Sequence, residues 1–327
     1  MLIKKIIQQL VLIIMRSSIL VGGQAVINGV MMRVPGAYST AVRLENGEIA
    51  SKTTPFKSIN EEKGYQKIPI IRGAIGLYEA MKIGYSTLNW SAIMAEQELD
   101  QKSNKITDII MNLAAILFAV SLFILSPIFV TKFFVSTTDA ISFNVFAGII
   151  RISIFITYLL LISTLKDVRT LFQYHGAEHK TIFTFENGQK LSYANTKKHK
   201  KEHPRCGTSF LFIVMLVSIF SFSALDGLVI FFLKLNELPT FGRLLIHIFC
   251  MPLVAGFSYE VLKFLAKYMD KNYLVKILCM PGLLLQKITT KEPDEKQLEV
   301  AFKSLKTAFG DKYESIKGGK YKADAIG

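Results

Sequence analysis

The sequence is short of cysteine and of acid. Its three cysteines, Cys206, Cys250 and Cys279, are odd in number and far apart, so no disulfide framework is suggested. Cys250 and Cys279 lie among apolar residues, where a thiol acts as a small hydrophobe. Asp and Glu number 25 against 39 Lys and Arg, a formal charge of +14, yet 51% of the residues are hydrophobic. Those figures are compatible because apolar residues and lysines occupy alternating blocks. A basic nucleic-acid-binding protein would spread its cations over helix faces without long apolar runs, so no nucleic-acid partner is expected. The glycine-punctuated stretch Gly22–Arg33 has no Gly-Lys-Ser/Thr, which excludes a phosphate-binding P-loop there. It reads either as a loop whose backbone approaches a ligand or as a tight turn in a packed core. No small-residue cleavage site follows Met1–Met15. That basic, apolar start is therefore expected to be a retained amphipathic segment on a membrane surface, not a signal peptide.

Four apolar runs stand out: Ile109 to Val135, Val145 to Leu165, Ser209 to Leu235 and Leu244 to Leu265. At about 1.5 Å per helical residue each can cross a hydrocarbon core of about 30 Å. The polar segments before Ile109, between Lys166 and Gly207, and after Lys263 are lysine-rich. Ser136 to Asn144 and Asn236 to Thr240 carry no Lys or Arg. Positive charge marks the cytoplasmic side, so both termini are expected there, in a multi-pass inner membrane of a bacterium, with a plastid membrane as the alternative. Within the spans, Arg151, Asp226, His247 and Glu260 must be paired or face water.

The expected fold is a mainly α membrane protein with about four transmembrane helices and a small α+β cytoplasmic portion containing β-hairpins. Its parts are a cytoplasmic segment 1–106, a transmembrane hairpin 107–165, a His/Cys loop 166–207, a second transmembrane hairpin 208–265, and C-terminal helices with a tail, 266–327. Tyr38 to Leu44 and Ile49 to Thr54 alternate around Glu45-Asn46-Gly47-Glu48, a hairpin signal. Thr181 to Phe185 and Gln189 to Tyr193 flank Glu186-Asn187-Gly188, which predicts a second hairpin, both joining one sheet. Ile70 to Met94 reads as an amphipathic helix. Pro293 opens another, with Leu298, Phe302, Leu305 and Phe309 at helical spacing, and past Gly310 the tail is expected to be disordered.

The chemistry concentrates in Tyr174-His175-Gly176-Ala177-Glu178-His179-Lys180 and His203-Pro204-Arg205-Cys206. On a helix, His175 and His179 stand one turn apart with Glu178 on the same face. The pattern His-x-x-Glu-His is the inverted zincin motif, in which two imidazoles hold zinc and the carboxylate is general base. His203, Cys206 and Glu260 are candidates for the remaining ligand. Arg205 and Arg72 are candidates to steady an anionic substrate. The bland alternative is a pair of interfacial histidines bonded to backbone or lipid phosphate. Gly176 weakens the helix by about 1 kcal/mol relative to Ala. His199, within Lys197-Lys198-His199-Lys200-Lys201, reads as part of a solvated basic run.

Taken with Ile71-Arg72-Gly73, Pro252 to Glu260 and Pro281 to Val300, these stretches resemble the YqhQ-like family of bacterial and plastid membrane proteins, a domain of unknown function. The resemblance covers about Gly22 to Lys306. It implies a predicted metal-dependent enzyme, and it marks one departure: the family pattern carries Glu where this chain has Asn28. The expectation is a metal-dependent hydrolase at the cytoplasmic membrane surface, with a divalent metal, zinc, as cofactor. Its partners would be membrane lipids and a membrane protein or lipid-linked substrate. The alternative is a non-enzymatic scaffold or assembly factor with a structural His/Cys cluster. A transporter is disfavoured, because no paired repeat and few intramembrane charges offer a pathway.

Overall fold

The structure is a computed structural model, which describes residues 21–98, 105–136, 140–268 and 272–321. Met1–Met15 lies outside the described residues.

Residues 22–55 form one antiparallel meander, β1 (Gly22–Val26), β2 (Gly29–Val34), β3 (Ala37–Arg43) and β4 (Ile49–Pro55), in the order β1-β2-β3-β4. The Asn46-Gly47 turn joins β3 to β4 as expected, with Tyr38 opposite Thr54 and Gly47 at φ 87. Gly22–Arg33 is not a loop but the β1–β2 hairpin, turning at Ile27-Asn28. Asn28 has φ 51, a left-handed conformation that Asn tolerates better than Glu does. Both faces of β2 are covered, which is why Gly29–Val34 is a buried run without alternation.

Helices α1 (Ile59–Lys63) and α2 (Ile71–Glu98) follow the sheet. α2 closes one sheet face, packing Ile83 and Trp90 against Val26, Met31 and Val42. The other face buries Val30, Met32, Val34 and Ala41 beneath two further helices, α6 (Lys166–Glu186) and α11 (Glu295–Phe309). Leu298 and Leu305 of α11 are fully buried there, each contributing about 1.5–3 kcal/mol by leaving water. A capping box starts α11, with Asp294 accepting from the Gln297 N–H and the Gln297 side chain returning to the Asp294 N–H.

Among the described residues, four helical stretches are long and apolar enough to cross a membrane: Ile109–Lys132, Ile141–Ile162, Gly207–Leu233 and Thr240–Leu265. The first is built from α3 (Lys105–Val120), one π-helical turn (Ser121–Leu125) and α4 (Ser126–Lys132). Pro127 cannot donate to the ladder, and the π turn sits immediately ahead of it. The others are α5 (Ala140–Ile162), α8 (Gly207–Leu233) and α9 (Thr240–Tyr268), separated by α6 and the short α7 (Tyr193–Thr196). Large apolar side chains such as Phe220, Phe231 and Phe249 point outward, as lipid contact requires. Inside, Asp226 of α8 joins Asn144 of α5 and Arg243 and His247 of α9 in one buried polar cluster. Arg151 donates to the Phe123 carbonyl at 3.1 Å.

Two expectations are corrected. Thr181–Phe185 is not a strand: α6 runs through it to Glu186, and no hairpin forms at Glu186-Asn187-Gly188. Asn187-Gly188 is instead a helix C-cap. Gly188, at φ 67, donates to Phe185 O and Gln189 donates to Thr184 O, the paired bonds of a Schellman motif. The chain past Gly310 is also ordered as far as Tyr321. It forms α12 (Lys312–Ile316), and the Tyr321 ring stacks on Phe185 at 5.1 Å. The last long helix, α10 (Tyr273–Thr289), packs on α8 and delivers its C-terminus to the site.

Gly176 does not break α6. A Cβ there would lie 2.0 Å from the Lys291 carbonyl oxygen, so the glycine lets the segment after α10 close against the helix. Gly176→Ala is expected to destabilise the protein by about 1–3 kcal/mol, seen as a lower thermal midpoint of the full chain in detergent. An unchanged midpoint would contradict that close approach.

Candidate metal centre

α6 presents His175, Glu178 and His179 on one face because its residues repeat every 3.6 positions. The His175 and His179 ring centroids are 4.4 Å apart. Cys206, the N-cap of α8, meets them from another part of the chain. His175 Nε2 lies 3.2 Å from Cys206 Sγ, and one ligand atom from each of the three residues lies within 4.8 Å of the others.

Two backbone carbonyls decide which nitrogens are available. His175 Nδ1 is 2.8 Å from Thr289 O, and His179 Nδ1 bonds Lys201 O. A carbonyl only accepts, so each Nδ1 carries a proton and, in the neutral ring, the lone pair is on Nε2. This is the arrangement that carbonyl partners impose on metal-bound histidines. Cys206 Sγ accepts from Thr208 N–H at 3.4 Å, at the positive end of the α8 dipole, where a negative ligand is favoured. Two imidazole nitrogens and one sulfur suit zinc. At zinc–ligand distances of about 2.0–2.3 Å, tetrahedral ligand atoms stand about 3.3–3.6 Å apart; the 3.2 Å between His175 Nε2 and Cys206 Sγ is close to that, and the whole set lies within 4.8 Å. The residues present therefore fit the ion.

The three residues border a cavity of about 130 Å³, also lined by Gly22, Gly23, Glu178 and Arg205. It has room for several water molecules. Glu178 is buried, has no hydrogen-bond partner among the described residues, and borders this space. Burial pushes its pKa up to about 7, partly opposed by His175. A Cβ at Gly23 would come within 3.0 Å of Glu178 Cγ and 2.5 Å of Met31 O, so only glycine lets β1 pass this close.

His203 borders the same cavity but is oriented differently. Its Nδ1 accepts from Arg205 N–H at 3.2 Å, which leaves the proton on Nε2, 3.9 Å from Glu186. Burial lowers its pKa to about 4, outweighing the neighbouring Glu186, and keeps the ring neutral. It stands outside the three-residue ligand group. Arg205 forms an ion pair with Glu186.

The sequence model of DUF1385, described as a protein of unknown function, matches residues 68–311. The chain belongs to this family. It is similar to the uncharacterized protein YqhQ of Bacillus subtilis (strain 168), 31% identical over 301 residues that cover 87% of this chain and 90% of YqhQ. No solved structure matches. The DUF1385 match includes His175, Glu178, His179 and Cys206, while the sheet precedes it.

In this DUF1385 fold the remaining candidates are engaged elsewhere. Arg72 Nε donates to Glu260 Oε1 at 2.7 Å and its Nη2 to the other oxygen, a fork that ties the start of α2 to α9. Neither residue lines the cavity; the structure pairs them with each other and not with the His/Cys cluster. Asn28 lies at the far tip of the β1–β2 hairpin, accepting from Arg43 N–H, so the departure at this position does not reach the cluster. His199 bonds Gln189 on the surface. The orienting residues were not foreseen. Gln286 accepts from His203 N–H at 2.7 Å and donates to His203 O and Ser209, fixing the turn that delivers Cys206. Gln286 and Thr289 both fall in the Pro281–Val300 stretch, the one signal that pointed to them.

Proposed function

We propose that the protein is a zinc-dependent hydrolase working at the polar end of its membrane-spanning helices, on the cytoplasmic side by the lysine bias of its loops. The observation that carries this reading is the pair of carbonyl-oriented histidines, each offering Nε2 beside Cys206, with Glu178 facing the same cavity. Zinc held by His175, His179 and Cys206 would supply Lewis-acid polarisation and a water acidic enough to react near neutral pH. Glu178 would take a proton at its carboxylate oxygen and pass it on. Arg205, held by Glu186, would form a fixed wall of the cavity near developing negative charge. The cavity adjoins Gly207, the first residue of α8, so substrates would arrive at the lipid–water boundary.

Three protein ligands and an open position imply catalysis, whereas a fourth protein ligand implies a structural ion. Glu178→Gln separates the two. The full chain, purified in detergent without chelators, should carry about one zinc, and Glu178→Gln should carry the same amount. Loss of zinc in that variant would make Glu178 a ligand of a closed, scaffold-type centre. A zinc-free wild type would remove the hydrolase reading.

A further inference from the structure

Among the described residues β1 is an edge strand, and nothing among them pairs with its outer edge beside the cavity. In the two-residue hairpin Val26 faces Gly29, so Val26, Gln24 and Gly22 bond to β2 while Gly23 and Ala25 turn their N–H and C=O groups outward. The next ladder gives the same parity. Arg43 N–H donates to Asn28 O at 2.9 Å, so even-numbered residues of the second strand face β3 and odd-numbered ones face β1. Ile27 is the following outward position, and Ser91 of α2 takes its N–H at 3.1 Å. Gly23 and Ala25 have no such partner among the described residues. The edge is thus closed at the α2 end and open at the other. There Gly23 is exposed, lines the cavity and passes Glu178. Free edge amides are a template for another strand, and here that template leads directly to the metal-ligand cluster.

We propose that the substrate of this site is an extended polypeptide segment that adds to β1 as a fifth strand, pairing with Gly23 and Ala25 and setting one of its peptide carbonyls over the cavity. This rests on the hydrolase reading and names its substrate class. Pairing through the main chain is independent of side-chain identity, and glycine at 22 and 23 holds no side chain against the incoming strand. The step consumes one water. Its hydroxyl bonds to the carbonyl carbon, its other proton passes by way of Glu178 to the amide nitrogen, and the C–N bond breaks to leave an acid and an amine.

Ala25→Pro deletes one outward N–H and leaves the β1–β2 ladder intact. The probe is a pool of end-blocked, fluorescein-labelled random heptapeptides, read by polarisation on the full chain in detergent and by mass spectrometry for cleavage. Ala25→Pro should weaken binding about tenfold, and a pool N-methylated at its amides should not bind. If Ala25→Pro misfolds, the N-methylated pool still decides on the wild type. Absent peptide binding, or binding indifferent to N-methylation, overturns the proposal. So does an edge already occupied, by a second copy (a dimer that Ala25→Pro makes monomeric) or by residues 1–20 (binding seen only after their removal). Zinc content is measured on the same samples. Zinc without peptide binding defeats this proposal alone, and backbone-dependent binding without zinc defeats the hydrolase reading alone.

Discussion

His179→Ala is expected to weaken zinc binding by about 100-fold or more, read by competition with a fluorescent chelator on the detergent-purified chain. Removing a group that merely orients a ligand costs about 10–100-fold, and His179 is proposed as a ligand itself. His175→Ala should behave alike, because its Nε2 lies 3.2 Å from Cys206 Sγ. His199→Ala is the control: its ring bonds Gln189 at 2.8 Å on the surface, and its loss should leave zinc affinity unchanged. Equal effects at 179 and 199 would mean that zinc is held by the basic loop nonspecifically.

Asp226→Ala is expected to destabilise the protein by about 3–5 kcal/mol, the cost of leaving a buried charge without its partner. Asp226 and Arg243 are both wholly buried, 2.9 Å apart. Asn144 donates to the same carboxylate at 2.7 Å, and His247 bonds its other oxygen at 3.0 Å. Phe143 lies 4.0 Å under the Arg243 guanidinium, and Phe222 stacks on His247. One carboxylate thus joins three apolar helices. Unfolding in a denaturing detergent series measures the loss. Asp226→Ala combined with Arg243→Met should recover much of it, because the unpaired charge leaves as well. A double variant no more stable than the single one would show that the ion pair is not what the cost reflects.

The four long apolar helices were legible because runs of twenty or so residues with at most one or two charges are long enough to cross a hydrocarbon core. The β3–β4 hairpin was legible from Asn46-Gly47 between alternating flanks. The same dipeptide at Asn187-Gly188 misled, because a positive φ at glycine serves a helix C-cap as well as a hairpin, and the flanking residues continue a helical face. That His175, Glu178 and His179 share one helix face was readable from spacing alone. Cys206, His203 and Glu260 could not be ranked, since only tertiary packing sets Cys206 on His175, turns His203 toward Glu186 and gives Glu260 to Arg72. Thr289 and Lys201 were beyond reach, because they act through backbone carbonyls that every residue possesses. Arg243 is not marked by hydropathy because it sits one residue before the apolar run that begins at Leu244. The apolar helix actually starts at Thr240 and carries the arginine inside.

The central claim is a zinc ion held by two histidines and one cysteine with a position left open. X-ray absorption at the zinc edge of the full chain, purified without chelators, tests it most directly. The account predicts one sulfur at about 2.3 Å and nitrogen or oxygen neighbours at about 2.0–2.1 Å, two of them imidazole, with the sulfur shell lost in Cys206→Ala. A shell without sulfur in the wild type, or no zinc in the well-folded protein, would contradict it.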